Sequence, residues 1–120
     1  MALTFLEALT EHLDAVRERD IDRFAQTLAG QGVQFIGGDG TLLEGKENVV
    51  AAHREWFMNE HWTFDPEIVS TREEAGASFA LLRVTYTEQG QRKEFWLSFG
   101  FVEEDGAWKV LCDQNTPIPA

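Results

Sequence analysis

The sequence predicts a single α+β domain in which helices lie on one face of an antiparallel sheet, in the order ααββαββββ. Three observations predict it. Apolar residues recur at helical spacing in the first half of the chain, alternating apolar and polar residues fill the second half, and 120 residues suffice for one hydrophobic core. We therefore expect one domain over residues 1–120, with its helices first and a meander of long strands after them.

Two amphipathic helices open the chain. Thr4 and Glu7 have the spacing of a capping box, and apolar residues at helical spacing carry the first helix to about Arg17. Asp20 is placed to cap a second helix, which Ala29-Gly30 should end.

A short hairpin and a third helix follow. The runs Val33–Ile36 and Thr41–Leu43 flank Gly37–Gly40, a turn rich in residues that accept a positive φ. The third helix begins near Gly45, with an acidic residue in its first turn, and ends by about Glu60.

Four antiparallel strands complete the predicted fold. From Trp62 onward, long alternating runs are separated by polar turns that contain glycine, at 73–76, 88–91 and 103–106. Pro66 lies inside the first of these strands and has no N–H to donate, which indicates an edge strand or a bulge.

Charge and composition exclude several classes of partner. The chain has 10 Lys and Arg against 21 Asp and Glu, a net charge of −11, which repels nucleic acids and anionic membrane surfaces. No segment approaches the ~18 consecutive apolar residues of a membrane span. The single cysteine, Cys112, indicates a reducing compartment, so we expect a cytoplasmic protein with no nucleic-acid or membrane partner.

The order of elements and three short segments resemble one superfamily. The segments are Asp20-Ile21-Asp22, Gly40–Gly45 and Gly106–Val110. Together they make the chain similar to the nuclear transport factor 2-like superfamily, in particular its SnoaL-like branch and the kinase-association-domain-like proteins near it. The resemblance implies a curved sheet wrapped around the first helix, a cone with a pocket at its open end, and a dimer through the sheet. It implies no single activity, because the superfamily hosts isomerases, dehydratases, cyclases, hydrolases and binding or assembly modules.

Five residues are the candidates for a site inside such a cone. His12 on the first helix, and His53 and Trp56 on the third, fall in the apolar sector of their helices. Period-two alternation places Gln114 on the more apolar face of the last strand, with Trp108, Val110, Cys112 and Thr116. With the hydroxyl of Tyr86, these groups have the composition of a site for a small, largely apolar molecule.

Catalysis is an open alternative, with His12 or His53 as the acid or base of a cofactor-free isomerase, dehydratase or cyclase. SnoaL-like proteins often close the last strand with Asp-His-x-Ser, and Gln114 stands where that histidine would be, so a general base is lost there. A second alternative is that both histidines belong to a solid core and the chain is an assembly module. No cofactor is indicated, and the histidine and cysteine spacings match no metal motif.

The strand that carries Trp96 is apolar on both faces, because Trp96 alternates with Phe95, Leu97, Phe99 and Phe101. A strand of this kind in an antiparallel sheet indicates a covering partner. We expect a homodimer through the sheet face that carries Trp96 and Ser98.

Overall fold

The computed structural model describes residues 2–120, and its elements follow the predicted order. They are α1 (Phe5–Arg17), α2 (Ile21–Gln26), β1 (Gln34–Ile36), β2 (Leu42–Glu44), α3 (Lys46–Phe57), β3 (Trp62–Glu74), β4 (Ala77–Glu88), β5 (Gln91–Glu104) and β6 (Ala107–Pro117). The predicted α+β class and the order ααββαββββ are thus confirmed. None of the helices within residues 2–120 has the length and apolarity needed to cross a bilayer.

The six strands form one curved, unclosed sheet in the order β2-β1-β6-β5-β4-β3. Every neighbouring pair is antiparallel except β1 and β6, which run parallel, so the sheet is mixed at that one junction. β3 is an edge strand, as Pro66 predicts, and its register shifts at Val69, three residues further on. The long strands β3 to β6 supply the curved wall of the cone, and the β1–β2 hairpin extends it beyond β6.

α1 lies along the inner face of this wall. The Thr4–Glu7 capping box is present, and the ring of Phe5 meets that of Phe101 edge-on at 5.1 Å. The apolar stripe of α1 is buried, with Leu9 completely inaccessible, and His12 is 1% exposed. The core is therefore the space between the three helices and the inner face of the sheet.

α2 is shorter than the sequence predicts, because the chain turns to pair with β6. The helix ends at Gln26, and the Thr27 carbonyl accepts a hydrogen bond of 2.8 Å from the Val110 amide. The Ala29 amide donates to the Val110 carbonyl at 2.9 Å, which leaves Leu28 in a parallel bridge with Val110. Tertiary hydrogen bonds have thus replaced the last helical turn.

A β-bulge in β6 changes which of its side chains face the core. Gly100 of β5 pairs with Cys112, but the next residue, Phe101, pairs with Val110, so Leu111 is an extra residue without a partner. Before the bulge, Val110 points inward and is buried. After it, the alternation is shifted by one position, as an inserted residue requires.

The outer face of the sheet carries an apolar patch formed by Phe79, Leu81 and Trp96. Phe79 is 54% exposed, Leu81 and Trp96 are half-buried, and the Arg83 guanidinium lies 5.6 Å from the centre of the Trp96 ring. Ser98 lies on the same face, opposite Leu81. This is the face that the sequence assigns to a dimer contact.

We predict that the chain forms a homodimer through this outer face, because association would remove Phe79 and its neighbours from water. Light scattering at micromolar concentration should give twice the 13.6 kDa chain mass. Phe79→Glu should shift the equilibrium to the monomer, since it would bury a carboxylate at the contact. Leu6→Glu is the control, because Leu6 is 50% exposed on α1 and lies away from the sheet face. A wild-type monomer at every concentration would contradict the prediction.

Candidate functional site

A cavity of about 140 Å³ lies between the helices and the sheet. We call it the inner cavity. Its wall is mostly apolar and takes side chains from all three helices and from every strand except β4. The polar side chains that border it are His12, His53, Asp113 and Asn115, together with the indole of Trp56.

The inner cavity adjoins a larger open space of about 1150 Å³, which we call the outer cleft. The outer cleft is bordered by the β1–β2 turn, the ends of α3, β4 and β5, and the C-terminal segment 117–120. The side chains of His53, Trp56, Phe95 and Asn115 border both spaces, so the inner cavity and the outer cleft meet at these residues.

His12 is held in one tautomer by its hydrogen bonds. Its Nδ1 lies 2.6 Å from the Thr27 hydroxyl oxygen, and that hydroxyl donates its proton to the Phe24 carbonyl at 2.7 Å. The hydroxyl can therefore only accept from the ring, so Nδ1 carries the proton and Nε2 is the basic nitrogen. Burial, with a smaller contribution from His53, lowers the pKa of His12 from 6.5 to about 3. The ring is neutral at physiological pH.

His53 is arranged in the same way on α3. Its Nδ1 lies 2.7 Å from the Val49 carbonyl, which only accepts, so this ring too carries its proton on Nδ1. The ring stacks on Phe24 at 4.3 Å and meets Phe35 edge-on at 5.3 Å. Burial lowers its pKa to about 4, against a smaller opposing effect of the Val49 hydrogen bond. Two neutral imidazoles, each with a free Nε2, thus border the inner cavity.

Asp113 and Asn115 face the inner cavity from β6, and neither is among the five site residues that the sequence predicts. They pair with Phe99 and Leu97, two buried inward-facing residues of β5. Asp113 is half-buried, and it borders the inner cavity and not the outer cleft. Burial raises the pKa of Asp113 from 3.8 to about 8, although an Asn115 hydrogen bond opposes the rise.

Gln114 does not join this site, and the prediction that it faces inward is wrong. Its side chain is exposed and it pairs with Ser98 on the outer face of the sheet. The physical reason is the bulge at Leu111, which exchanges the two faces of β6 beyond that point. The available signal was Gly100 in the middle of β5, because a glycine inside a strand often marks a bulge on the partner. A Cβ on Gly100 would lie 2.7 Å from the Cys112 sulfur.

Trp56 borders the inner cavity, whereas Tyr86 borders only the outer cleft. The Trp56 Nε1–H donates to the Tyr86 hydroxyl at 3.1 Å, and that hydroxyl donates to a Glu88 carboxylate oxygen at 2.8 Å. Burial raises the pKa of Tyr86 to about 12. Its hydroxyl is thus engaged on both sides and fixes the Trp56 indole. The Trp56 ring also stacks on Trp62 at 4.2 Å.

Within residues 2–120, no three His, Cys, Asp or Glu side chains are grouped so as to hold a metal ion. What the inner cavity offers is a carboxyl group and two imidazoles on an apolar wall. These groups can orient a small molecule by hydrogen bonds, and they can exchange protons with it.

Residues 6–114 match the family model of the SnoaL-like domain, whereas no curated protein sequence matches the chain. Several solved structures are similar over nearly the whole chain. A candidate calcium/calmodulin-dependent protein kinase type II association domain from Thiobacillus denitrificans superposes with a TM-score of 0.87 at 18% identity, covering 99% of this chain and 98% of that one.

Two further neighbours have names that state an activity. One is a candidate dehydratase of the NTF2-like family from Streptomyces avermitilis, with a TM-score of 0.83, 16% identity and coverage of 94% and 92%. The other is an LEH-like epoxide hydrolase from M. tuberculosis, with a TM-score of 0.72, 16% identity and coverage of 92% and 80%. At these identities the similarity establishes the fold.

The three ionisable groups that border the inner cavity give opposite pH dependences of stability. His12 and His53 titrate near 3 and 4 in the folded chain and near 6.5 when unfolded, so unfolding takes up their protons between about 4 and 6.5. Their contribution to stability therefore rises with pH in that window. Asp113 holds its proton to about pH 8 when folded and loses it near 3.8 when unfolded, so its contribution falls as pH rises between those values.

We predict that the Asp113→Asn variant lacks the decrease in stability with rising pH that Asp113 causes. The two histidines still titrate in the unfolded chain at pH 6.5 and oppose the fall there, so the difference between the two proteins isolates Asp113. The free energy of unfolding of wild type minus that of Asp113→Asn should decline by about 1.4 kcal/mol per pH unit below pH 8 and level off above it. Urea unfolding at pH 6.5 to 8.5 measures it. Asp65→Asn is the matched control, because Asp65 is exposed on β3. Parallel profiles for wild type and Asp113→Asn would contradict a raised pKa at Asp113.

Proposed function

The chain belongs to the SnoaL-like domain family, as its resemblance predicts, and we propose that it binds a small, largely apolar molecule in the inner cavity of its cone. One observation carries this proposal: a cavity with a mostly apolar wall persists where the helices close over the sheet, and a few polar groups converge on it. Few polar groups on an apolar wall are typical of small-molecule sites.

The size of the inner cavity limits the part of the ligand that it can hold. Its volume of about 140 Å³ is close to the roughly 150 Å³ of an apolar cavity that binds benzene. A single six-membered ring therefore fits inside. A larger ligand would extend past Trp56 and His53 into the outer cleft.

Filling the inner cavity should abolish binding. Leu43 of β2 borders it, whereas the neighbouring Leu42 points the other way and is 49% exposed. In NMR titrations with cyclohexanone, a ring of the right size, the wild type should show saturable shifts at cavity residues. Leu43→Trp should remove them, because the indole occupies the space, and Leu42→Trp should keep them. Equal binding by both variants would place the ligand elsewhere.

The second candidate function is a cofactor-free isomerase, dehydratase or cyclase that uses His12 or His53 as its acid or base. The observation that favours it is the free Nε2 of each neutral imidazole beside a carboxyl group of opposite titration behaviour. The names of the dehydratase and the epoxide hydrolase neighbours are compatible with such chemistry.

Substitution of the histidines separates binding from catalysis. His12→Phe and His53→Phe should both fold, because each ring already packs among aromatic side chains. If the chain only binds, both variants should change which molecules bind. If it is an enzyme, one of them should abolish turnover and leave ligand affinity nearly unchanged, as expected for a group that acts in the transition state. Kinetics and NMR titration on the same ligand distinguish the two results.

The inner cavity weighs against a pocketless assembly module, in which aromatic side chains would fill the cone.

We propose that the functional unit is a homodimer in the cytoplasm, on the basis of the outer apolar patch and the single cysteine. The net charge of −11 supports a function without nucleic-acid or membrane partners.

A further inference from the structure

We infer that the inner cavity selects an uncharged molecule bearing a ketone or hydroxyl group, and that Asp113 in its protonated form is the donor that holds the oxygen of that group. This inference rests on the proposed function, since it names the class of ligand for the same cavity. It follows from counting the hydrogen-bond donors and acceptors that the wall leaves free.

The two histidines contribute acceptors only. Their Nδ1 atoms are bonded to Thr27 and to the Val49 carbonyl, and neither of those residues borders the inner cavity. The rings themselves do border it, and the nitrogen that these hydrogen bonds leave free on each ring is the unprotonated Nε2. A ligand hydroxyl can donate to either nitrogen.

The other polar groups on the wall have already used their donors. Both amide hydrogens of Asn115 are taken, one by the Ile36 carbonyl at 2.9 Å and one by Asp113 Oδ1 at 3.2 Å. The Trp56 Nε1–H is taken by Tyr86, and the Gly37 N–H donates to the Thr41 carbonyl at 2.9 Å. Among the described residues that border the cavity, the one donor left is the proton on Asp113.

Asp113 is placed to keep that proton and to present it. Asn115 donates to Oδ1, which leaves Oδ2 as the oxygen that carries the hydrogen. The titratable groups that share the cavity with it are His12 from α1 and His53 from α3, and both are neutral at pH 7. Among the described residues of the cavity wall there is no Lys or Arg to pair with an ionised Asp113, and burial holds the pKa of this carboxyl near 8.

The same surroundings discriminate against charged ligands. A carboxylate would lose its hydration and find no cation on the wall. An ammonium group would bury its charge against apolar side chains, either without a counter-ion or in an ion pair with an ionised Asp113, and both cost more desolvation than a neutral hydrogen bond. A ketone or an alcohol needs neither change.

Three ligands of one shape test the inference: cyclohexanone, cyclohexanecarboxylate and cyclohexylamine, titrated by NMR at pH 6.5. Cyclohexanone should bind at least tenfold more tightly than either ion. Its affinity should hold below pH 8 and fall as pH rises above 8, because ionised Asp113 has no proton to donate. Tighter binding of the amine or the carboxylate would overturn the inference, while leaving the cavity a binding site.

Three variants assign the effect to Asp113. Asp113→Asn should bind cyclohexanone within threefold of wild type and without the loss above pH 8, since a neutral amide can donate at any of these pH values. Asp113→Leu, of similar size, has no donor and should lose about tenfold. Gln114→Leu is the control, because the adjacent side chain faces outward and should not matter. Equal loss in Asp113→Asn and Asp113→Leu would overturn the donor role.

A measurement on the wild-type protein tests the inference even if the variants fail to fold. The ¹³Cγ resonance of Asp113 should titrate with a midpoint near 8, and a midpoint below 5 would overturn the inference. If none of the three ligands binds the wild type, and Leu43→Trp behaves like the wild type, the proposed function itself fails rather than the ligand class alone.

Discussion

The bulge at Leu111 is the constraint on which the site depends. A regular β6 that continued the alternation of Val110 would aim Cys112 and Gln114 into the cone. One extra residue sends a carboxyl and an amide there instead, at Asp113 and Asn115. Gly100 makes this possible from the neighbouring strand, because a side chain there would meet the Cys112 sulfur. The polarity of the inner cavity is thus decided by backbone geometry on two adjacent strands, outside the cavity itself.

The ionisable groups that border the inner cavity are in their uncharged forms near neutral pH. The helices contribute the bases, and the sheet contributes the acid. The helices bury two bases, whose unfavourable protonation weakens the fold at acidic pH, and the sheet buries an acid, whose unfavourable ionisation weakens it at alkaline pH. Near neutrality both kinds of group are uncharged, so the cavity has no net charge inside a chain of net charge −11. The surface excess of carboxylates therefore says nothing about the ligand that the cavity accepts.

Local sequence patterns predicted the helices and strands correctly, but they assigned the wrong face to the residues of β6 that follow the bulge. Capping at Thr4 and Asp20, the glycine turns and Pro66 on the edge strand are short-range signals, and the structure has each of them. The inward positions of His12 and His53 follow from helical periodicity, which one buried face keeps in phase. The phase of β6 depends on a bulge, and the end of α2 on pairing with Val110, so both were set by partners distant in sequence. Asp113 was missed for that reason.

The glutamine at position 114 has a different meaning in this structure from the one that the motif suggests. Taken alone, the replacement of histidine by Gln114 removes a general base from the last strand. In the fold, that position points away from the inner cavity, and the preceding Asp113 occupies the wall. The imidazoles come from α1 and α3 instead, each held in the same tautomer by a backbone or hydroxyl oxygen outside the cavity. The inner cavity can therefore still accept and donate protons, but through different elements. The last strand contributes the acid, and the helices contribute the bases.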